Sequence, residues 1–142
     1  MIPFEKSLVK TTGSTKTDPV NGKITSCFGY RKHPISGIVK FHNGVDIACP
    51  VGTPILAPAS GKILNMWTDS NGGLSLSILA EDGVRFGFAH LSEYRVIPYQ
   101  SVIKGEIIAF TGNTGKTTGP HLHFTVQKDG LFIDPLEFFD FH

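Results

Sequence analysis

Five residues of this chain combine reactive side chains with informative spacing: His42, Asp46, His90, His121 and His123. The densest stretch is Gly119-Pro120-His121-Leu122-His123-Phe124-Thr125-Val126, in which a Gly-Pro turn signal leads into β-branched and aromatic residues, the pattern of a short strand. Side chains alternate across a strand. His121, His123 and Thr125 therefore share one face, and Leu122, Phe124 and Val126 share the other. The apolar face can pack on a core, leaving two imidazoles on the opposite face, close enough to serve one small site. Imidazole is the commonest protein metal ligand and the usual general base near neutral pH. Alone, such a pair reads equally as two hydrogen-bonded histidines on a wet face, so its partners decide the matter.

His42 and Asp46 are those partners. Their separation of four puts both side chains on the same side in extended or helical geometry. The even spacing suits a strand, with Gly44 removing a side chain that would otherwise stand between them. Two imidazole nitrogens and one carboxylate oxygen from His42, Asp46 and His123 make a three-ligand set, and catalytic zinc takes three protein ligands and leaves its fourth position to water. A zinc-bound water has its pKa lowered to about 7 but still needs a base. No HExxH segment supplies a glutamate for this, and the only acidic residue beside the histidines is Asp46. His121, one strand repeat from His123, is then the candidate base. His90, at the end of an apolar run, is the candidate for stabilising a developing oxyanion. His33, before a proline, and the terminal His142 read as surface residues. Tyr30, Phe41 and Tyr94 read either as groove lining or as packing.

Other chemistries fall away. Gly112-Asn113-Thr114-Gly115-Lys116-Thr117 imitates a phosphate-binding loop, but its first glycine would fall at Phe110, and a strand follows it rather than the helix whose N-terminus holds phosphate. No G-x-S-x-G nucleophile elbow occurs. A formal charge of +1 offers no basic stripe for nucleic acid. Nothing approaches the roughly 18 apolar residues of a membrane span. The start, Met1 to Lys6, lacks the features of a signal peptide, so the chain is either made without one or is a domain cut from a longer protein. Cys27 and Cys49 are too few for a disulfide scaffold. They read as free, mostly buried thiols, with one disulfide as the alternative.

The elements that must hold these residues are strands. With 142 residues the chain suits a single domain with a proper core. Sixteen glycines and nine prolines punctuate many short β-branched runs, and no amphipathic helix of any length is present. Residues 1–22 are polar and aperiodic and read as an arm or linker, with the domain proper at 23–142. Strands are expected at Ile24–Phe28, Ile38–Phe41 running into His42–Ile47, Thr53–Pro58, Gly61–Trp67, Leu74–Leu79, Val84–His90, Glu106–Phe110 and from His121. Gly29–Gly37 reads as a turn-rich loop, residues 92–104 as an irregular connection, and Asp134–Phe139 as one closing helical turn. Eight or nine short strands with hairpin signals between them give an all-β, mainly antiparallel fold, a compact sheet or sandwich. Gly52–Ala57 is weakly echoed by Gly105–Phe110.

Three segments, His42-Asn43-Gly44-Val45-Asp46, Phe88-Ala89-His90 and Gly119-Pro120-His121-Leu122-His123-Phe124, resemble the signatures of the lysostaphin-like zinc endopeptidases, which hydrolyse peptide bonds in bacterial peptidoglycan. Phe28–Arg31, Gly52–Ile55 and Thr111–Gly115 extend the likeness over about residues 23–138. The resemblance implies His42, Asp46 and His123 as ligands of one zinc ion, His90 and His121 as the catalytic pair, and a compact antiparallel β structure whose groove holds the metal. It also implies a peptidoglycan peptide as substrate and action on the cell wall, outside the cytoplasm, by what is expected to be a monomer. The want of a leader or wall-binding module would suit a phage-borne lysin or an excised domain. Relatives that have lost ligands act as regulators or binding modules; all five positions are kept here. Two other classes compete. A catalytically inactive, zinc-stabilised wall-binding module predicts metal without cleavage. A carrier or phosphotransfer domain, suggested by Thr53–Leu64 and its echo, leaves His42 and Asp46 unexplained.

Overall fold

The computed structural model describes residues 16–32 and 35–141. Among them the short apolar runs form twelve strands: β1 Lys23–Ser26, β2 Gly29–Lys32, β3 Val39–His42, β4 Gly44–Ala48, β5 Pro54–Leu56, β6 Gly61–Asp69, β7 Gly73–Ala80, β8 Arg85–Tyr94, β9 Ser101–Val102, β10 Ile107–Thr111, β11 His121–Lys128 and β12 Leu131–Ile133. The closing helical turn is a 3-10 turn, Pro135–Glu137, started by Asp134, whose carboxylate accepts the Leu136 N–H at 3.0 Å. The fold is all-β, as expected, and every strand pair is antiparallel.

Ten strands make one sheet in the order β1-β4-β11-β8-β7-β6-β9, with β12 beside β11, and β10 joining β5 to β8. β2 and β3 form a separate two-stranded sheet. The expected loop at Gly29–Gly37 is thus partly strand: Gly29–Lys32 pairs with Val39–His42, a hairpin whose side chains are mostly exposed and so carry no clean hydrophobic alternation. β12 and β9 were too short to show a period.

The core fixes which way β11 faces. Leu122, Phe124 and Val126 are fully buried, and Phe124 lies against Phe86 (centroids 6.0 Å apart), Phe88 (5.3 Å) and Phe139 (5.4 Å). Each such side chain contributes roughly 1.5–3 kcal/mol by leaving water. A one-residue slip would drive all three to the wet face, so the register of β11 is strongly specified. His121, His123 and Thr125 are therefore held on the opposite face.

β8 runs past His90, further than its sequence pattern suggests. From Arg85 to Ala89 it pairs with β11, and from Leu91 to Tyr94 with β10. His90 stands at the change of partner with φ 65°, a left-handed conformation that costs an L-residue roughly 1–2 kcal/mol. Its N–H donates to Gly72 O at 2.6 Å, which holds the bend.

Residues 16–22 lie along the rim of this sheet. Val20 is buried, Leu56 N–H donates to Pro19 O at 2.7 Å, and Lys16 Nζ sits 3.0 Å from Asp82. Residues 1–15 of the expected arm, with His33 and His142, lie outside the described residues. No helix among the described residues is long and apolar enough to cross a membrane. Cys27 and Cys49 are both free; Cys49 is buried, whereas Cys27 is exposed.

Candidate metal centre

Strand register brings the candidate ligands together. β4 and β11 pair so that Asp46 stands opposite His123 and Ala48 opposite His121. His42 enters from another direction. The extended run is interrupted at Asn43, so β3 belongs to the small sheet and β4 to the large one. The spacing of four therefore spans a strand switch, where a single strand had been expected. Gly44 also has a different reason: a Cβ there would lie 2.2 Å from Phe124 O, so its bareness lets β4 approach β11.

His42 Nε2 lies 3.4 Å from Asp46 Oδ2, and His123 Nδ1 lies 2.9 Å from Asp46 Oδ1. One ligand atom from each of the three residues falls within 4.8 Å of the others. The remaining ring nitrogens are engaged: His42 Nδ1 donates to Cys27 O at 2.9 Å, and His123 Nε2 faces Asn43 Oδ1 at 2.9 Å. Carbonyl oxygens only accept, which assigns the protons to those nitrogens and leaves His42 Nε2 and His123 Nδ1 as lone pairs turned toward Asp46. A lone pair 2.9 Å from a carboxylate oxygen calls for a positive charge between them, either a second proton on the imidazole or a metal ion. Two imidazoles, each oriented by an outer acceptor, and a carboxylate fit zinc. Burial pushes the Asp46 carboxyl up, but positive charge on the His123, His42 and His121 imidazoles, with a hydrogen bond from His123 when its Nδ1 carries the second proton, outweighs burial and holds the group below its ordinary range.

His90 and His121 stand beside this trio with ring centroids 4.6 Å apart. His121 Nδ1 donates to Gly119 O at 2.8 Å, with Thr117 Oγ1 3.0 Å away, so Nε2 is the free nitrogen, 3.7 Å from Asp46 Oδ1. His90 Nδ1 donates to Thr114 O at 2.7 Å. Burial, reinforced by the neighbouring His121 and His123 and opposed by the Thr114 carbonyl, holds the His90 imidazole below its usual pKa. The glycine-rich segment that imitates a phosphate loop thus supplies the carbonyl that orients His90. Thr114 is itself pinned: its hydroxyl donates to Leu91 O at 2.6 Å and accepts the Leu74 N–H at 3.1 Å.

Comparison with known sequences places these residues in a family. The profile of peptidase family M23 matches residues 40–135, a span that contains all five. The chain belongs to peptidase family M23. Among relatives of this M23 chain is the DD-carboxypeptidase/endopeptidase Mpg of Neisseria meningitidis, 37% identical over 130 residues that make up 91% of this chain and 30% of that protein. The chain spans less than a third of the length of that relative. Among solved structures, a zinc-containing peptidase from Vibrio cholerae superposes with a TM-score of 0.77 at 38% identity, covering 82% of this chain and 37% of that one. The catalytic domain of lysostaphin from Staphylococcus simulans gives 0.73 at 35% identity, covering 83% and 92%.

In this M23 chain His123, alone of the trio, lines a groove of about 320 Å³ that runs over the exposed face of β11, β8, β7 and β6. Its floor is made by small side chains, Gly87, Ala89, Ser77 and Thr125, with His123 at one end. Of the aromatic residues read as groove or packing, Tyr30 and Phe41 pack at a tilt on the β2–β3 hairpin with ring centroids 5.1 Å apart, and the Tyr94 hydroxyl donates to Trp67 O and Ser75 O, both at 3.0 Å. None of the three lines this groove. Sequence reasoning did not anticipate Asn43, Thr114, Thr117 or the Cys27 and Gly119 carbonyls. Only the Gly-Thr-Asn clusters hinted at them, because backbone acceptors leave no trace in residue type.

Proposed function

We propose that this chain is a zinc-dependent endopeptidase that hydrolyses peptide bonds of bacterial peptidoglycan, acting on the cell wall outside the cytoplasm. The observation that carries the reading is the convergence of His42 Nε2, Asp46 and His123 Nδ1, with two further imidazoles alongside and with His123 lining an open groove. His42, Asp46 and His123 would hold the ion. When bound, zinc supplies Lewis acidity to water and to the scissile carbonyl.

The chain's own groups do the remaining work. His121 Nε2, whose ring is fixed through Nδ1 by Gly119 O, accepts the proton of the attacking water and returns it to the leaving amine. His90, braced through Nδ1 by Thr114 O, stabilises the negative charge that develops on the carbonyl oxygen. The shallow floor of Gly87, Ala89 and Ser77 admits an extended peptide.

Mass spectrometry of fragments released from purified walls of differing cross-link type tests the proposal. New amino termini at peptide bonds, produced by the zinc-loaded protein and lost with chelator, are expected. Stoichiometric zinc without any released fragment would overturn it in favour of an inactive wall-binding module.

A further inference from the structure

The groove carries its charge at one place. Arg85 is the only permanently charged side chain among its lining residues. No carboxylate among the described residues lies within salt-bridge distance of it, although Arg95 and Lys16 elsewhere on the surface each have one. Register locates Arg85 relative to the metal end. Along β8 and β11 the paired residues on the groove face run His123–Ala89, Thr125–Gly87 and Gln127–Arg85. Four residues of strand separate Ala89 from Arg85, about 13 Å. Phe132, paired with Gln127 on β12, adds an aromatic surface at that far end.

Between the two ends the floor is bare. A Cβ at Gly87 would lie 2.4 Å from Thr125 Oγ1, so the midpoint of the track is kept free of side-chain bulk. A substrate backbone extended along this track advances about 3.3 Å per residue. A residue three or four positions from the bond at the metal then comes level with Arg85, whose planar guanidinium matches a carboxylate in two-point geometry.

We infer that Arg85 is a specificity-determining residue that reads a free carboxylate of the substrate, three to four residues from the cleaved bond. The preferred substrate is accordingly an acidic peptide, and a peptide with no carboxylate at that distance is disfavoured. This rests on the peptidase reading of the same site and narrows it.

Two synthetic stem peptides test the inference, identical except that one carboxylate at that distance is replaced by a carboxamide. The zinc-loaded full chain should cleave the carboxylate peptide with a kcat/KM about tenfold higher, chiefly through KM. The preference should shrink as salt is raised. Arg85→Gln should abolish the preference and Arg85→Lys should keep part of it. A preference that survives in Arg85→Gln, or an equal loss on both peptides, overturns the inference while leaving the peptidase reading intact. Binding of the two peptides to His121→Ala, measured by calorimetry, separates the two ideas. Arg85-dependent binding without any cleavage by the wild type would uphold the recognition and sink the hydrolase. Equal binding of the two peptides would sink the recognition.

Discussion

His123 Nδ1 lies 2.9 Å from Asp46 Oδ1, although 77 positions separate the two residues in sequence. The contact follows from one antiparallel pairing, β4 with β11, which sets His123 opposite Asp46. A metal held there ties the two strands together, so it should stabilise the folded state as well as equip it. At a thousandfold excess over Kd the linkage is about 4 kcal/mol. Thermal melts should rise by several degrees with added zinc in the wild type. They should not respond to zinc in His123→Ala, which should also lack bound metal by elemental analysis.

His121 and His90 separate catalysis from metal binding. His121→Ala should retain a full equivalent of zinc and lose about 10²- to 10⁴-fold in turnover. His90→Ala should also keep its metal and lose about 10²- to 10³-fold. Normal cleavage by His121→Ala would show that the base lies elsewhere.

Gly44 is a packing requirement of the site. With Phe124 O 2.2 Å from an added Cβ, Gly44→Ala must push β4 off β11. A loss of about 1–3 kcal/mol, the usual cost of overpacking, is expected in urea melts. Zinc affinity should weaken in parallel, because Asp46 moves with β4. Unchanged stability would mean that the two strands are free to separate there.

Acid should loosen the turn beneath His90. Asp69 Oδ1 accepts the N–H of Gly72 at 2.6 Å and of Asn71 at 2.9 Å, and the Gly72 bond is the largest influence holding its carboxyl below the ordinary range. A carboxyl depressed in the folded state contributes stability that is present above its unfolded pKa and is lost as pH falls through the lower folded value. The contribution should therefore fade below about pH 4. Asp69→Asn should flatten the acid limb of a stability–pH profile relative to the wild type.

Much of this arrangement is written in local sequence. The alternation in β11 fixed both its strand character and the face that carries the histidines, because burying Leu122, Phe124 and Val126 leaves no other choice. The Asn71-Gly72-Gly73 and Asp82-Gly83 segments, strong turn formers by composition, lie at the β6–β7 and β7–β8 hairpin ends. Of the β2–β3 hairpin, β3 was expected but β2 was read as loop, since Gly29–Lys32 is largely exposed and carries no hydrophobic period. The bend in β8 was not legible. The left-handed turn falls on His90 rather than on a glycine, and it is held by the Gly72 carbonyl, an acceptor every residue possesses. His42 and Asp46 were paired by spacing, yet a strand switch at Asn43 joins them, and only tertiary structure defines it.

Anomalous diffraction at the zinc absorption edge from crystals of the metal-loaded protein tests the metal centre most directly. The expected result is one zinc peak about 2.0–2.1 Å from His42 Nε2 and His123 Nδ1 and about 2.0–2.2 Å from an Asp46 carboxylate oxygen. A peak ligated by other residues, or none where these three side chains converge, would contradict it.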